Sequence, residues 1–461
     1  MRHHENEPRY SNKINQLFKR ENLENLGRFA VRKLVPAMAV GYLILNQPGD
    51  HPVISAFQIP DAGQHLTLDT FYPPDQPFAA AAERGETIPP ENITSAVLAG
   101  EVAVLPIFPD SNGNIDPQTM PDWTDEQIQT AVREITEGLN WWTQWDQTRT
   151  NLNFVFEPLV IAPTGYEPIT HDGRTDEGGW IGSVMAALGY NDLNKTYFEN
   201  ARSAANDLRI RQSADWGILV FIVNDINDPD HMFPNFISGY AYFGGPFMVL
   251  TYNNNGYGPD EMDAVTAHEL GHIVYMWDEN PDWACTLTSL GYISGIPNRN
   301  SLQPPGCDVH VGSIMEGGDY PYTHNQLSKW AAMMGGLIDQ NKDGILDPAG
   351  NYQNVFNVTL TEPNLSFTGT ITNTAWPPSA GWPEMNINFI STVEASDPLS
   401  GQIFPVTATD GAFDEQIENY TLTTPSNSRM VKLCFTGYIG GTFCQLIWDT
   451  AKHQYLPVIT K

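Results

Sequence analysis

The chain has 461 residues, too many for one ordinary hydrophobic core, so two domains plus terminal segments are expected. An apolar fraction of 41% that includes 12 Trp excludes disorder throughout. Lys and Arg number 23 against 54 Asp and Glu, and the resulting formal charge of −31 argues against nucleic acid or an anionic membrane surface as partner and suits a chain that binds calcium.

Residues 1–33 carry eight Lys/Arg and four Glu, and the next basic residue is Arg84. The apolar run "LVPAMAVGYLIL" (34–45) is too short to span a bilayer and contains Pro36. Together with the small residues of "PVISA" (52–56), it resembles a secretory signal with an unusually long basic region, so residues 1–56 are read as signal-like. A buried strand or helix is the alternative. Residues 57–100, continuing a Pro-, Gln- and Ala-rich stretch that starts near 46, read as a linker or pro-segment.

"EVAVLPIFPD" (101–110) predicts a strand. Residues 124–145 open with Thr124 and Gln127 at capping-box spacing and place Ile128, Val132, Ile135, Leu139 and Trp142 on one helical face. "LNFVFEPLVI" (152–161) predicts a second strand, residues 180–208 a helical stretch, and "GILVFIVND" (217–225) a buried strand. "GYAYFGGPFMVLT" (239–251) predicts a strand pair joined at Gly244-Gly245-Pro246. This order indicates an α/β layer with a mixed sheet.

"TAHELGHIVYMWDE" (266–279) then carries the chemistry. Asp260 is expected to cap a helix running from Glu261 through His272. Four residues apart, His268 and His272 share one helical face and can bind a single tetrahedral zinc ion. Glu269 is rotated by about 100°, placed to act as general base on a water that zinc makes acidic. This is the HExxH pattern. Hydrolytic zinc needs a third protein ligand and one open position.

The extended pattern, with Asp278 six residues after His272 and "SIMEGGDY" (313–320) downstream, resembles the metzincin metalloproteases. The aspartate-ligand type, such as immune inhibitor A and snapalysin, is the closer resemblance. It implies a secreted zinc endopeptidase acting on protein or peptide substrates. The metal ligands would be His268, His272 and Asp278, with Glu269 as base and Met315 in a Met-containing turn beneath the zinc. It also implies that part of 240–251 accepts the substrate backbone as an added strand.

Two departures stand out: the family glycine that reverses the chain after the helix is Tyr275, and Gly317 stands where many relatives have Tyr, leaving Tyr320 as a transition-state stabiliser. Glu279, Asp308 and His310 are reserve ligands. The absence of Glu from 280–315 argues against a thermolysin-like pattern.

"DQNKDGILD" (339–347) places Asp339, Asn341, Asp343, Ile345 and Asp347 as in EF-hand-like and dockerin-type calcium loops, with Gly350 where a full loop has an acid. The helical "NQLSKWAAMMGGLI" precedes it. Beyond residue 350, short alternating segments separated by Pro, Gly and Asn predict a small β-sandwich. Cys434 and Cys444 bracket a Gly-Gly hairpin, and Cys285 and Cys307 bracket the loop after the histidine helix; two local disulfides would fit an exported protein, four reduced thiols being the alternative.

The expected architecture is therefore a metzincin-like α/β (α+β) catalytic domain over 101–337 with a mixed, largely parallel sheet and a long active-site helix. A calcium-loop-like junction (338–350) and an all-β sandwich (351–461) follow. A monomer without a membrane span in the mature chain is expected. A non-catalytic extracellular binding or adhesion protein with a vestigial zinc site, or a zinc protease of another clan, are the rival readings.

Overall fold

A computed structural model describes residues 72–74, 88–279, 288–300, 307, 311–340, 342, 346–350, 355–361, 366–373, 386–424 and 430–448. The signal-like segment lies outside these residues, as do 57–71 and 75–87 of the expected linker, Cys285, Asp308, His310, Asn341, Asp343 and Ile345. Residues 93–100 of that expected linker are instead buried in the domain, where Ser95 Oγ donates to the Ile273 carbonyl at 2.7 Å.

The first part of the described chain is a mixed α/β layer. Strand β1 (Glu101–Ser111) lies between β4 (Trp216–Val223) on one side and both β2 (Asn153–Phe156) and β3 (Val160–Thr164) on the other, all parallel. Beyond β4 come β6 (Phe247–Thr251), parallel, and then β5 (Gly239–Ala241), antiparallel, with Tyr240 opposite Val249. The single strand expected over 152–161 is thus two. The Glu157 N–H still donates to the Val104 carbonyl of β1 at 2.9 Å, and the ladder breaks at Pro158, which has no N–H to donate.

All eight residues of β4 are buried, as its unbroken apolar run requires of a strand covered on both faces. Leu219, Phe221 and Val223 pack in a core with Trp180, Ile181, Val184 and Met185 of α2 (Gly178–Ala187) and Phe198, Ala201 and Leu208 of α3 (Tyr197–Gln212). The stretch expected to be helical over 180–208 is therefore two helices. On the opposite face Trp216 and Ile218 line a small cavity with Leu270 and Ile273 of α4 (Met262–Ile273), Val102 and Phe154.

Helix α1 (Asp125–Trp141) starts at the expected capping box. The Thr124 N–H donates to Gln127 Oε1 at 2.9 Å, and the Gln127 N–H donates to Thr124 Oγ1 at 3.3 Å. Its apolar face is buried at every expected position, including Trp142 just beyond its end. It packs against α4 so closely that a methyl group at Gly138 would overlap the Asp263 carbonyl oxygen and come within 2.8 Å of Thr266 Cβ. The Trp142 indole N–H then donates to the Ala267 carbonyl at 2.9 Å, fixing α4 one residue before His268.

A short hairpin, β7 (Thr288–Leu290) and β8 (Ser294–Pro297), follows α4, and then come α5 (Asp319–Thr323) and α6 (Lys329–Met334). The rest is a separate all-antiparallel region. One four-stranded sheet has the order β13 (Val406–Ala408), β14 (Ile417–Thr423), β10 (Ser366–Thr372), β9 (Val355–Thr361). The other has β12 (Ile403–Phe404), β11 (Ile390–Ser396), β15 (Met430–Gly437), β16 (Thr442–Trp448).

The two sheets share a core containing Ile371, Tyr420 and Leu422 from the first and Ile390, Leu433 and Phe435 from the second. Cys434 and Cys444 sit directly opposite each other on β15 and β16 and form a disulfide, and Cys307 is also disulfide-bonded. Among the described residues no helix is long and apolar enough to cross a membrane.

Candidate metal centre

Helix α4 is preceded by a 3₁₀ turn, Pro259–Glu261, and no side chain caps it. The cap expected from Asp260 does not form. Asp260 lies inside that turn, where its carboxylate accepts from Arg133 Nη2 at 3.2 Å. The helix nevertheless brings the two histidines onto one face, with ring centroids 4.8 Å apart.

Each imidazole is oriented through its other nitrogen. His268 Nδ1 lies 2.9 Å from the Ile314 carbonyl and His272 Nδ1 lies 2.8 Å from the Met276 carbonyl. A carbonyl can only accept, so each Nδ1 carries a hydrogen and each Nε2 faces the opposite side.

How the chain returns to this face is the question raised by Tyr275. The helix ends in a Schellman motif: the Met276 N–H donates to the Gly271 carbonyl at 2.9 Å and the Tyr275 N–H to the His272 carbonyl at 2.9 Å. Tyr275 takes the left-handed conformation, φ 69°, that the motif normally gives to glycine. Its ring is 4% exposed, stacks on Phe243 with centroids 6.2 Å apart, and lies against Gly291 and Gly244, where any side chain would overlap it.

Burial of the ring therefore offsets the backbone strain. Three residues on, Asp278 Oδ1 stands 3.1 Å from His268 Nε2 and 3.3 Å from His272 Nε2. The ligand atoms of the three residues lie within 4.8 Å of one another. Two imidazole nitrogens and a carboxylate oxygen form a donor set that fits zinc.

The electrostatics follow from this crowding. Burial pushes the Asp278 carboxyl up, but the imidazoles of His272 and His268 override it and hold the carboxyl well below the usual range. Burial pushes His268 the other way, down, yet the Asp278 carboxylate carries it up to about 9.

Glu269 is 5% exposed, and its Oε2 has no hydrogen-bond partner among the described residues. It is near enough to raise His268 electrostatically. Gly239 at the start of β5 faces it: a methyl there would lie 3.3 Å from Glu269 Oε1 and 2.8 Å from Val265 Cγ1. The last strand of the sheet thus passes close to the carboxylate because residue 239 has no side chain. Sequence reasoning did not single out this glycine, and only its position opening the hairpin pointed to it.

Met315 lies in a 3₁₀ turn, Ile314–Glu316, capped by Ser313. It packs under α4 at Gly271, where a methyl would overlap its sulfur. The same turn supplies the carbonyl that holds His268. Tyr320 follows in α5. It is 63% exposed and stacks on His324 with centroids 3.8 Å apart, in the same short helix as Tyr322, which hydrogen-bonds to Asp263 near the start of α4.

Of the reserve ligands, Glu279 is fully buried and turned away into hydrogen bonds with Ser328 and Asn300. In the calcium-loop-like stretch, Asp339 Oδ2 accepts from Arg149 at 2.8 Å and Asp347 Oδ2 from the Gln340 N–H at 3.1 Å. The other three positions fall outside the described residues.

A second close group, Glu134, Glu137 and Asp263, offers oxygen atoms only, and Arg133 already engages Glu134. Compared with known proteins, the chain has no significant match to a family model, a curated protein or a solved structure.

Proposed function

We propose that the chain is a zinc-dependent endopeptidase of the metzincin type, with an aspartate as third ligand. The observation that carries this reading is the convergence of His268 Nε2, His272 Nε2 and Asp278 Oδ1 beside a buried carboxylate oxygen with no hydrogen-bond partner among the described residues. His268, His272 and Asp278 would hold the ion. When bound, zinc polarises a carbonyl and makes water acidic near neutral pH.

The remaining steps belong to the protein. Glu269 Oε2 takes the proton from the attacking water and returns it to the leaving amine. The hydrogen bonds from Nδ1 to Ile314 and Met276 keep both imidazoles in the ligating tautomer through the cycle. Strand β5, at the end of the sheet and next to Glu269, offers its free side to a substrate backbone running antiparallel to it. Export from the cell accords with the disulfide between Cys434 and Cys444.

Casein hydrolysis by the full chain tests the reading. A zinc chelator should abolish it, and Glu269→Gln should lower kcat by about 10²–10⁴-fold while stoichiometric zinc is retained. Cleavage unchanged by both treatments would falsify the assignment.

A further inference from the structure

The proposed chemistry makes no use of Glu279, although it is fully buried immediately after Asp278. A buried carboxylate is costly unless hydrogen-bonded, and this one is bonded in several directions. Its Oε1 accepts from Ser328 Oγ at 2.6 Å, its Oε2 from Asn300 Nδ2 at 3.1 Å, and Ser313 adds a further hydrogen bond. Its own N–H donates to the Met315 carbonyl at 2.7 Å.

These partners hold the site from several directions. Ser313 caps the turn whose Ile314 carbonyl receives the His268 N–H. Ser328 caps α6, accepting from the Ala331 N–H at 3.1 Å. Asn300 clasps Val311 through both amide atoms, at 2.7 and 2.8 Å. Two residues before it, Asn298 Nδ2 donates to the Asp278 carbonyl at 2.8 Å. One carboxylate therefore joins the third-ligand segment, the asparagine segment, the methionine turn and the start of α6.

We propose that Glu279 is a positioning residue that sets the Asp278 carboxylate and the His268 imidazole at the spacing one cation requires. This rests on the zinc reading above and assigns to Glu279 a part distinct from that of a ligand. A residue acting only on overall stability would weaken the fold without changing affinity for the metal. A positioning residue changes the affinity and the coordination geometry while the protein stays folded.

The experiment compares the full chain with Glu279→Ala and Glu279→Gln, measuring zinc affinity by chelator competition and the visible absorption of the cobalt(II)-substituted protein. Urea unfolding is measured on each variant. Glu279→Ala should bind zinc about 10–100-fold more weakly, with an altered cobalt spectrum, lower kcat and unchanged KM. Glu279→Gln should recover part of the affinity, because its oxygen can face Asn300 while its amide N–H₂ donates to Ser328 Oγ.

Leu433→Ala, in the core of the antiparallel region, serves as a destabilised control that should keep parental zinc affinity. If Glu279→Ala does not fold, Ser328→Ala and Asn300→Ala, each removing one of the hydrogen bonds to Glu279, should still weaken zinc binding several-fold. Parental affinity and spectrum in the Glu279 variants, or in both single-bond variants, overturn the proposal and leave the endopeptidase reading standing. Absence of zinc binding by the parent chain overturns that reading, and the role of Glu279 with it.

Discussion

Replacing Tyr275 separates two contributions that the structure sets against each other. A left-handed backbone costs a residue with a Cβ roughly 1–2 kcal/mol, whereas removing a buried aromatic ring from a packed site costs about 3–5 kcal/mol. Tyr275 has both features, with φ 69° and a ring 4% exposed against Phe243.

Tyr275→Ala loses the ring and keeps the strain, so it should be about 3–5 kcal/mol less stable than the parent. Tyr275→Gly loses the ring and relieves the strain, for a net loss of about 1–4 kcal/mol. Glycine should therefore exceed alanine by about 1 kcal/mol, the reverse of their usual order inside a helix. Urea unfolding followed by tryptophan fluorescence reads the difference as a shift in midpoint, and zinc stoichiometry should survive in the glycine variant. An alanine variant as stable as the glycine variant, or more so, would refute the left-handed turn and the account of how Asp278 comes back to the histidines.

Two further outcomes follow from contacts away from the metal. Gly138→Ala forces a methyl against the Asp263 backbone carbonyl where α1 crosses α4, and should cost about 1–3 kcal/mol in the same unfolding assay while lowering zinc affinity through displacement of α4. Glu177 is buried, which pushes its carboxyl up to about 7 even though Tyr240, Tyr242 and Tyr197 all donate to it. A carboxyl raised in the folded state stabilises fully below its unfolded value of 4.5, and that contribution disappears as pH rises through about 7. Stability should thus fall by on the order of 3 kcal/mol between pH 4.5 and 8, and Glu177→Gln should flatten that part of the profile.

What could be read from the sequence was local. The capping box at Thr124, the apolar face of α1, the two-sided burial of β4 and the Gly-Gly turn between β15 and β16 each depend on neighbours a few residues away. The juxtaposition of His268, His272 and Asp278 was legible for the same reason, since the three occupy one short stretch. The departure at Tyr275 was legible as a difficulty but not as a solution, because what offsets it, Phe243 and Gly291, lies far off in sequence.

The missing cap at Asp260 has a similar origin. Its partner Arg133 belongs to α1, and no spacing rule links the two. Asp339 fits a calcium-loop pattern by position yet is held by Arg149. Glu279 looked like a spare ligand until Asn300 and Ser328 were seen around it. Gly138, Gly239 and Gly271 carry no pattern at all, because their function is the room they leave for something arriving from elsewhere.

The three proposed ligands span only residues 268–278. A cross-link closing so short a stretch removes little entropy from the unfolded chain, since the loop-closure contribution grows only as the logarithm of its length. Helix α4 is already wedged between α1 and the sheet, so the ion is not what brings these parts together. On the zinc reading, the fold is therefore expected to survive demetallation and to take the ion up again without refolding.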